Sequence, residues 1–155
     1  AALPTGSHIV DLGPGIGVPA VHLAGSIGYR VTAVDLAGAR TLEFLEWRKV
    51  RHRLHGTLEI RTFDTPVPQL QVPCNCVIML SMLDHCWDAY GTLEWAIAQL
   101  ESGGLLLCDY HTAPPEVNSE GQHLDTYDQW TLVTWLREHG MDASPKYGDW
   151  MFIKR

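Results

Sequence analysis

The 155-residue sequence is short of positive charge: 11 Lys and Arg stand against 18 Asp and Glu, a formal net charge of −7. That balance leaves no electrostatic footprint for gripping phosphate backbones, so no nucleic acid is expected as partner. No apolar window approaches a membrane span and no basic-then-apolar leader precedes the first strand signal, so no membrane partner is expected. Cysteine is sparse and poorly spaced for a metal. Cys74-Asn75-Cys76 followed by His85-Cys86 matches none of the common paired-ligand spacings. Cys76 and Cys108 lie inside apolar runs, where cysteine serves as a small buried hydrophobe; no metal is expected, and the usage suits a reducing, cytoplasmic setting. Repeats, low-complexity tracts and composition breaks are absent, so residues 1–155 read as one domain. With 46% apolar and 19% charged residues, the chain is long enough to bury a sizeable core.

What the sequence does contain is concentrated in Ile9-Val10-Asp11-Leu12-Gly13-Pro14-Gly15-Ile16-Gly17. An apolar run closes on an acidic residue, three glycines follow at alternate positions, and Val18-Pro19 opens a helix with proline in its first turn. Strand, glycine turn and helix together bring backbone N–H groups against a cofactor, and a Cβ there would block both the tight turn and the approach. No Gly-Lys-Ser/Thr follows, which excludes a P-loop. A dinucleotide fingerprint would need glycine at position 18, where Val18 stands.

Strand and helix signals then alternate to the end of the chain, as in a mostly parallel sheet covered on both faces. The strands expected are 8–12, 29–34, 58–63, 76–80 and 105–109, the fourth central because it is continuously apolar. Helices are expected over 18–26, from Ala39 to Leu54, and around Leu93, Ala96, Ile97 and Leu100, the last ending before Gly103-Gly104. A capping box, Thr126-x-x-Gln129, opens a further helix that stops at Gly140. Segments 143–147 and 150–154, joined at Gly148-Asp149, read as a hairpin and hence as antiparallel at the end of the sheet. Between Asp109 and that last helix lies the longest irregular connection, 111–123.

Val10-Asp11-Leu12-Gly13-x-Gly15-x-Gly17 followed by Val31-Thr32-Ala33-Val34-Asp35 resembles the cofactor half of a class I S-adenosylmethionine-dependent methyltransferase. The resemblance extends through Asp64, Leu80-Ser81-Met82 and Leu100-Glu101-Ser102-Gly103-Gly104 to the closing hairpin, essentially the whole chain. It implies a three-layer α/β/α Rossmann-like sandwich with a mostly parallel seven-stranded sheet and an antiparallel last strand. It implies S-adenosylmethionine as cofactor. Asp11 would orient the glycine loop or meet the cofactor's amino group, while Gly13, Pro14, Gly15 and Gly17 lie against its methionine and ribose parts. Asp35, with Leu36 beside it, would accept from both ribose hydroxyls; Phe63 and Asp64 would meet the adenine; Leu80 and Ser81 would line the other side. A simple turn-capping role is the plain alternative for Asp35 and Asp64.

An oxygen or nitrogen acceptor can need a base at the carboxyl ends of the strands. That selects Asp84 and His85, Asp109 and His111, with His123 a looser candidate; His85 and His111 are the catalytic candidates taken forward. Trp87, Tyr90 and Tyr110 could wall the site, or simply cover the core edge. The family's amino-acceptor signature is absent after strand four, which points away from adenine or glutamine side chains and toward a small-molecule or glycan-like acceptor. Cap helices before strand one are expected to be minimal or missing, in which case acceptor choice would fall to 111–123, a partner subunit or a segment outside this chain. The alternatives are a non-catalytic cofactor-binding or scaffold domain and, behind it, an NAD-dependent oxidoreductase.

Overall fold

The computed structural model describes residues 3–64, 73–86, 88–109 and 129–155. In chain order the elements are β1 (His8–Leu12), α1 (Val18–His22) running into a π-helical turn (Leu23–Ile27), β2 (Arg30–Leu36), α2 (Arg40–Arg51), β3 (Leu58–Phe63) and β4 (Cys74–Met79). A short 3-10 turn (Leu83–His85), α3 (Ala89–Gln99), β5 (Leu100–Cys108), α4 (Gln129–Glu138), β6 (Met141–Ser144) and β7 (Gly148–Lys154) follow. The seven strands form one sheet in the order β3-β2-β1-β4-β5-β7-β6. Pairings from β3 through β5 are parallel, and β7 is antiparallel to both neighbours. This is the Rossmann-like arrangement expected, with β4 in the middle.

Alternation along the strands sorts the core into two layers. Ile9, Val31, Ala33, Leu58 and Cys76 face one side, against Ala20, Val21, Ala24 and the α2 residues Leu42 and Leu45. Val10, Leu12, Val77, Met79, Leu106 and Phe152 face the other, against Leu93 and Ala96 of α3 and Leu132, Val133 and Leu136 of α4. Cys74, Cys76 and Cys108 are buried free thiols in β4 and β5. Among the described residues no helix is long and apolar enough to cross a membrane.

Several boundaries differ from the sequence expectation. The first helix keeps α-geometry only to His22, and its π-helical turn closes on Gly28 at φ +81°. The second stops at Arg51 instead of Leu54: Arg53 turns left-handed (φ 58°) and Leu54 drops into the core. Its apolar residues form two stripes, Leu42 and Leu45 buried and Phe44, Trp47 and Val50 exposed, which is why no single stripe is visible in the sequence. Strand β5 begins at Leu100, with the glycine pair inside it instead of ahead of it. Cys74 pairs with Leu100 and Cys76 with Leu105, so 101–104 bulges out opposite Asn75, and Gly103 (φ +79°) makes the bend possible. The hairpin turns at 145–147, not at Gly148-Asp149, because the Ser144 hydroxyl accepts from Lys146 N and Tyr147 N at 3.3 Å each. The antiparallel strand lies one place in from the edge, which β6 occupies.

Candidate active site

Because β1 to β5 are parallel, their carboxyl ends share one border of the sheet, at Leu12, Leu36, Phe63, Met79 and Cys108. Strand order reverses between β1 and β4, the place where α/β sheets open a crevice for ligands. The glycine loop leaves β1 there. Gly13 N donates to Val34 O at 2.9 Å and Gly17 N to Pro14 O at 2.8 Å, so the loop doubles back before α1. Gly13, Gly15 and Gly17 have φ of 67°, 54° and 71°, left-handed conformations that side chains resist.

Each glycine has a different second reason for being there. A Cβ on Gly17 would lie 2.2 Å from Leu45 Cδ1, so its absence lets α2 pack under the loop. On Gly13 it would lie 3.1 Å from Met82 Cβ, in the segment after β4. On Gly15 it would meet nothing within 4 Å. Gly15 therefore faces open space, as a cradle for a ligand requires. Arg48 of α2 fixes the loop from behind, donating from Nη1 to Ile16 O at 2.8 Å.

Under this loop sits Asp11, 3% exposed, with Oδ2 buried and unpartnered. Burial pushes its carboxyl up to about 7; the Asp35 charge adds to the rise, and an Ala20 N–H bond opposes it. A buried carboxyl with a spare oxygen, beneath an open glycine cradle, is suited to a ligand carrying a cationic or N–H donor group. Asp35, at the end of β2, is half-buried and raised by burial, while Oδ1 accepts from Leu36 N at 2.8 Å. Leu36 is exposed beside it. Ala37 N donates to Phe63 O at 2.9 Å, holding the ends of β2 and β3 together. Phe63 packs partly into the core, and Asp64 is exposed just beyond it.

Across the crevice, Leu80 is exposed and Ser81 takes a left-handed φ of 51°. The Asp109 carboxylate holds that turn through Ser81 N and through Ser81 Oγ (3.2 Å). Asp109, a candidate base in the sequence, is thus a bracket between the ends of β4 and β5. Asp84 is buried, and His85 beside it is 52% exposed, with Nε2 3.9 Å from Asp84 Oδ1. Tyr90 packs on Trp135 of α4, with ring centroids 5.2 Å apart. His111, His123, Trp87 and Tyr110 lie outside the described residues, as does Thr126 of the expected capping box. Among the described residues no group of three or more His, Cys, Asp or Glu side chains is placed to hold a metal ion. Sequence reasoning missed Arg48, and missed the Ser81–Asp109 bracket, whose members are 28 positions apart.

No curated protein matches the sequence closely enough to count as a relative. Solved structures do match in fold. An O-methyltransferase family protein from Burkholderia thailandensis superposes with a TM-score of 0.76 at 15% identity, over 96% of this chain and 50% of that one. A SAM-dependent methyltransferase from Thiobacillus denitrificans, in complex with S-adenosyl-L-homocysteine, gives 0.69 at 18% identity, over 92% and 60%. Coclaurine N-methyltransferase, bound to N-methylheliamine and S-adenosylhomocysteine, gives 0.60 at 22% identity, over 68% and 30%. This chain spans from 30% to 66% of the length of such structures. A family model described as a methyltransferase domain matches residues 1–143. With a glycine loop over a buried acidic residue, a second aspartate at the next strand end and a sheet of matching order, the chain belongs to the class I S-adenosylmethionine-dependent methyltransferase family.

Proposed function

We propose that this domain transfers a methyl group from S-adenosylmethionine to a small-molecule acceptor. The observation that carries the reading is the unpartnered, buried Asp11 Oδ2 beneath the open space at Gly15, at the point where strand order reverses. When bound, the cofactor supplies a methyl group already activated on a sulfonium. The protein's own share is alignment and exclusion of water.

In this reading the backbone of Gly13, Pro14, Gly15 and Gly17 lies along the methionine and ribose parts, and Asp11 answers the amino group directly or through the loop. Asp35 accepts from the ribose hydroxyls, with Leu36 covering it. Phe63 and Asp64 take the adenine ring and its amino group, and Leu80 and Ser81 close the other side, held by Asp109. His85, exposed and next to Asp84, takes a proton from an acceptor hydroxyl or amine in this reading; His111 is the second candidate for that role. The likeness to coclaurine N-methyltransferase, bound to N-methylheliamine, supports an acceptor of small-molecule size.

The test begins with thermal shift against S-adenosylmethionine, S-adenosylhomocysteine and NAD. A ligand at a hundred times its dissociation constant adds about 2.7 kcal/mol. Both sulfur compounds are expected to stabilise the protein and Asp35→Ala to remove the shift; stabilisation by NAD alone overturns the reading. Donor-dependent methylation of mixed small metabolites then tests activity, with His85→Gln expected to lower kcat while leaving S-adenosylhomocysteine binding intact.

A further inference from the structure

A second concavity, about 440 Å³, opens on the β1–β3 half of the sheet at the end remote from the glycine loop. Ligand sites run from roughly 300 to 1,000 Å³, so the space suits a small molecule. His8 lines it and opens β1; the five steps from His8 to Gly13 put about 16 Å between the cleft and the loop at roughly 3.3 Å per residue.

The cleft gathers cations in a chain that otherwise has few. Arg30 enters from β2, Arg61 from β3 and Lys49 from α2, with His8 and His55 also in its lining. Thr32 and Thr57 add hydroxyls, and Thr32 Oγ1 is 2.9 Å from His8 Nε2. Two carboxylates stand against these: Glu59 in the lining, whose two oxygens hold the Arg61 guanidinium at 2.8 and 3.0 Å, and Glu46, 3.5 Å from Lys49 Nζ. Arg30 has no such neighbour: among the described residues it makes no ion pair. His8 registers the local field. Burial first, then the charges of Arg30 and Arg61, hold its imidazole below the ordinary range, and Glu59 only partly offsets them. The part of that lowering due to Arg30 and Arg61 is one that a multiply charged anion would relieve.

We propose that this cleft binds a small multivalent oxyanion, of the phosphate-ester or polycarboxylate kind, at a site separate from the cofactor crevice. Arg30 is its principal anchor, since among the described residues it has no ion pair to give up. Arg61 contributes after exchanging Glu59 for the ligand, and the threonine hydroxyls supply neutral donors. An open concavity of this size with a carboxylate in its wall, on a chain of net charge −7, fits a compact anion and not an extended nucleic-acid backbone.

The probes are pyrophosphate and citrate, titrated by calorimetry against the whole chain, with sodium chloride at matched ionic strength. Saturable heat from either supports the site and tells phosphate from carboxylate preference. Arg30→Ala is expected to weaken binding at least tenfold, whereas Glu59→Gln, which releases Arg61, strengthens it. Bound anion should also move the His8 imidazole titration upward in NMR spectra. S-adenosylhomocysteine affinity should be the same in both variants, so this result stands apart from the cofactor assignment. Heat matched by sodium chloride, or pyrophosphate and citrate affinities unchanged by both Arg30→Ala and Glu59→Gln, overturns the proposal.

Discussion

Gly15 and Gly17 share a left-handed backbone and have opposite surroundings, and a methyl group added to each separates folding from binding. At Gly17 the added carbon would lie 2.2 Å from Leu45 Cδ1. Overpacking and left-handed strain together predict a loss of about 2 to 4 kcal/mol for Gly17→Ala in urea unfolding. Gly15→Ala carries the strain alone, about 1 kcal/mol, because nothing lies within 4 Å of the new atom. Its larger effect should appear as lost S-adenosylhomocysteine affinity. Asp11 gives a prediction in pH. Its native carboxyl keeps a proton up to about 7, against an ordinary value of 3.8. Between those values unfolding releases that proton, so rising pH erodes native stability across the window and the full penalty is in place above it. Asp11→Asn removes the titration. Its stability relative to the parent should therefore be flat below about pH 4, climb to about pH 7 and level off, in denaturant midpoints taken across pH.

Elements whose signals are local were legible from the sequence. β1 at His8–Leu12 and β3 at Leu58–Phe63 fall where a short apolar run and an apolar–polar alternation between turn residues put them. Those shaped by distant partners were not. β5 reaches back to Leu100 because Asn75 bridges the bulge, donating to Glu101 and accepting from His8 N at 2.7 Å. Glycines 103 and 104 announce an irregularity, but no sequence window shows that the ladder has already begun. Lys154 of β7 likewise donates to Ile97 O at 2.7 Å and to Leu100 O at 2.6 Å, tying the hairpin to the end of α3. The segment after β4 depends on the same kind of tie. With Asp109→Ala, Ser81 loses two hydrogen bonds while keeping its left-handed turn. The expected cost is about 1 to 3 kcal/mol, together with weaker cofactor binding. Adding Ser81→Gly should recover part of the stability; no recovery would mean that strain at Ser81 is not what Asp109 restrains.

At the scale of the molecule, the alternation of strands and helices was enough to anticipate a parallel sheet with β4 central. The acidic residues at the ends of β1 and β2 marked the side on which a ligand would sit. Which helix clamps the loop was hidden, since Arg48 and Ile16 are 32 positions apart. The cationic cleft was hidden too, because its residues come from three strands, α2 and the connection between α2 and β3. The central strands also carry a built-in chronometer. Cys74, Cys76 and Cys108 are buried in β4 and β5, and burial pushes Cys74 and Cys108 up to about 12 and Cys76 higher still. Cys86, half-buried outside the sheet, is raised less. A thiol-reactive disulfide should therefore modify one cysteine per chain quickly and the other three only as fast as β4 and β5 separate. Modification of all four at a single rate would mean that the middle of the sheet opens as readily as its border. The slow phase measures the opening rate of the two strands next to the switch point on its β4 side, without any introduced label, and bound cofactor should lengthen it.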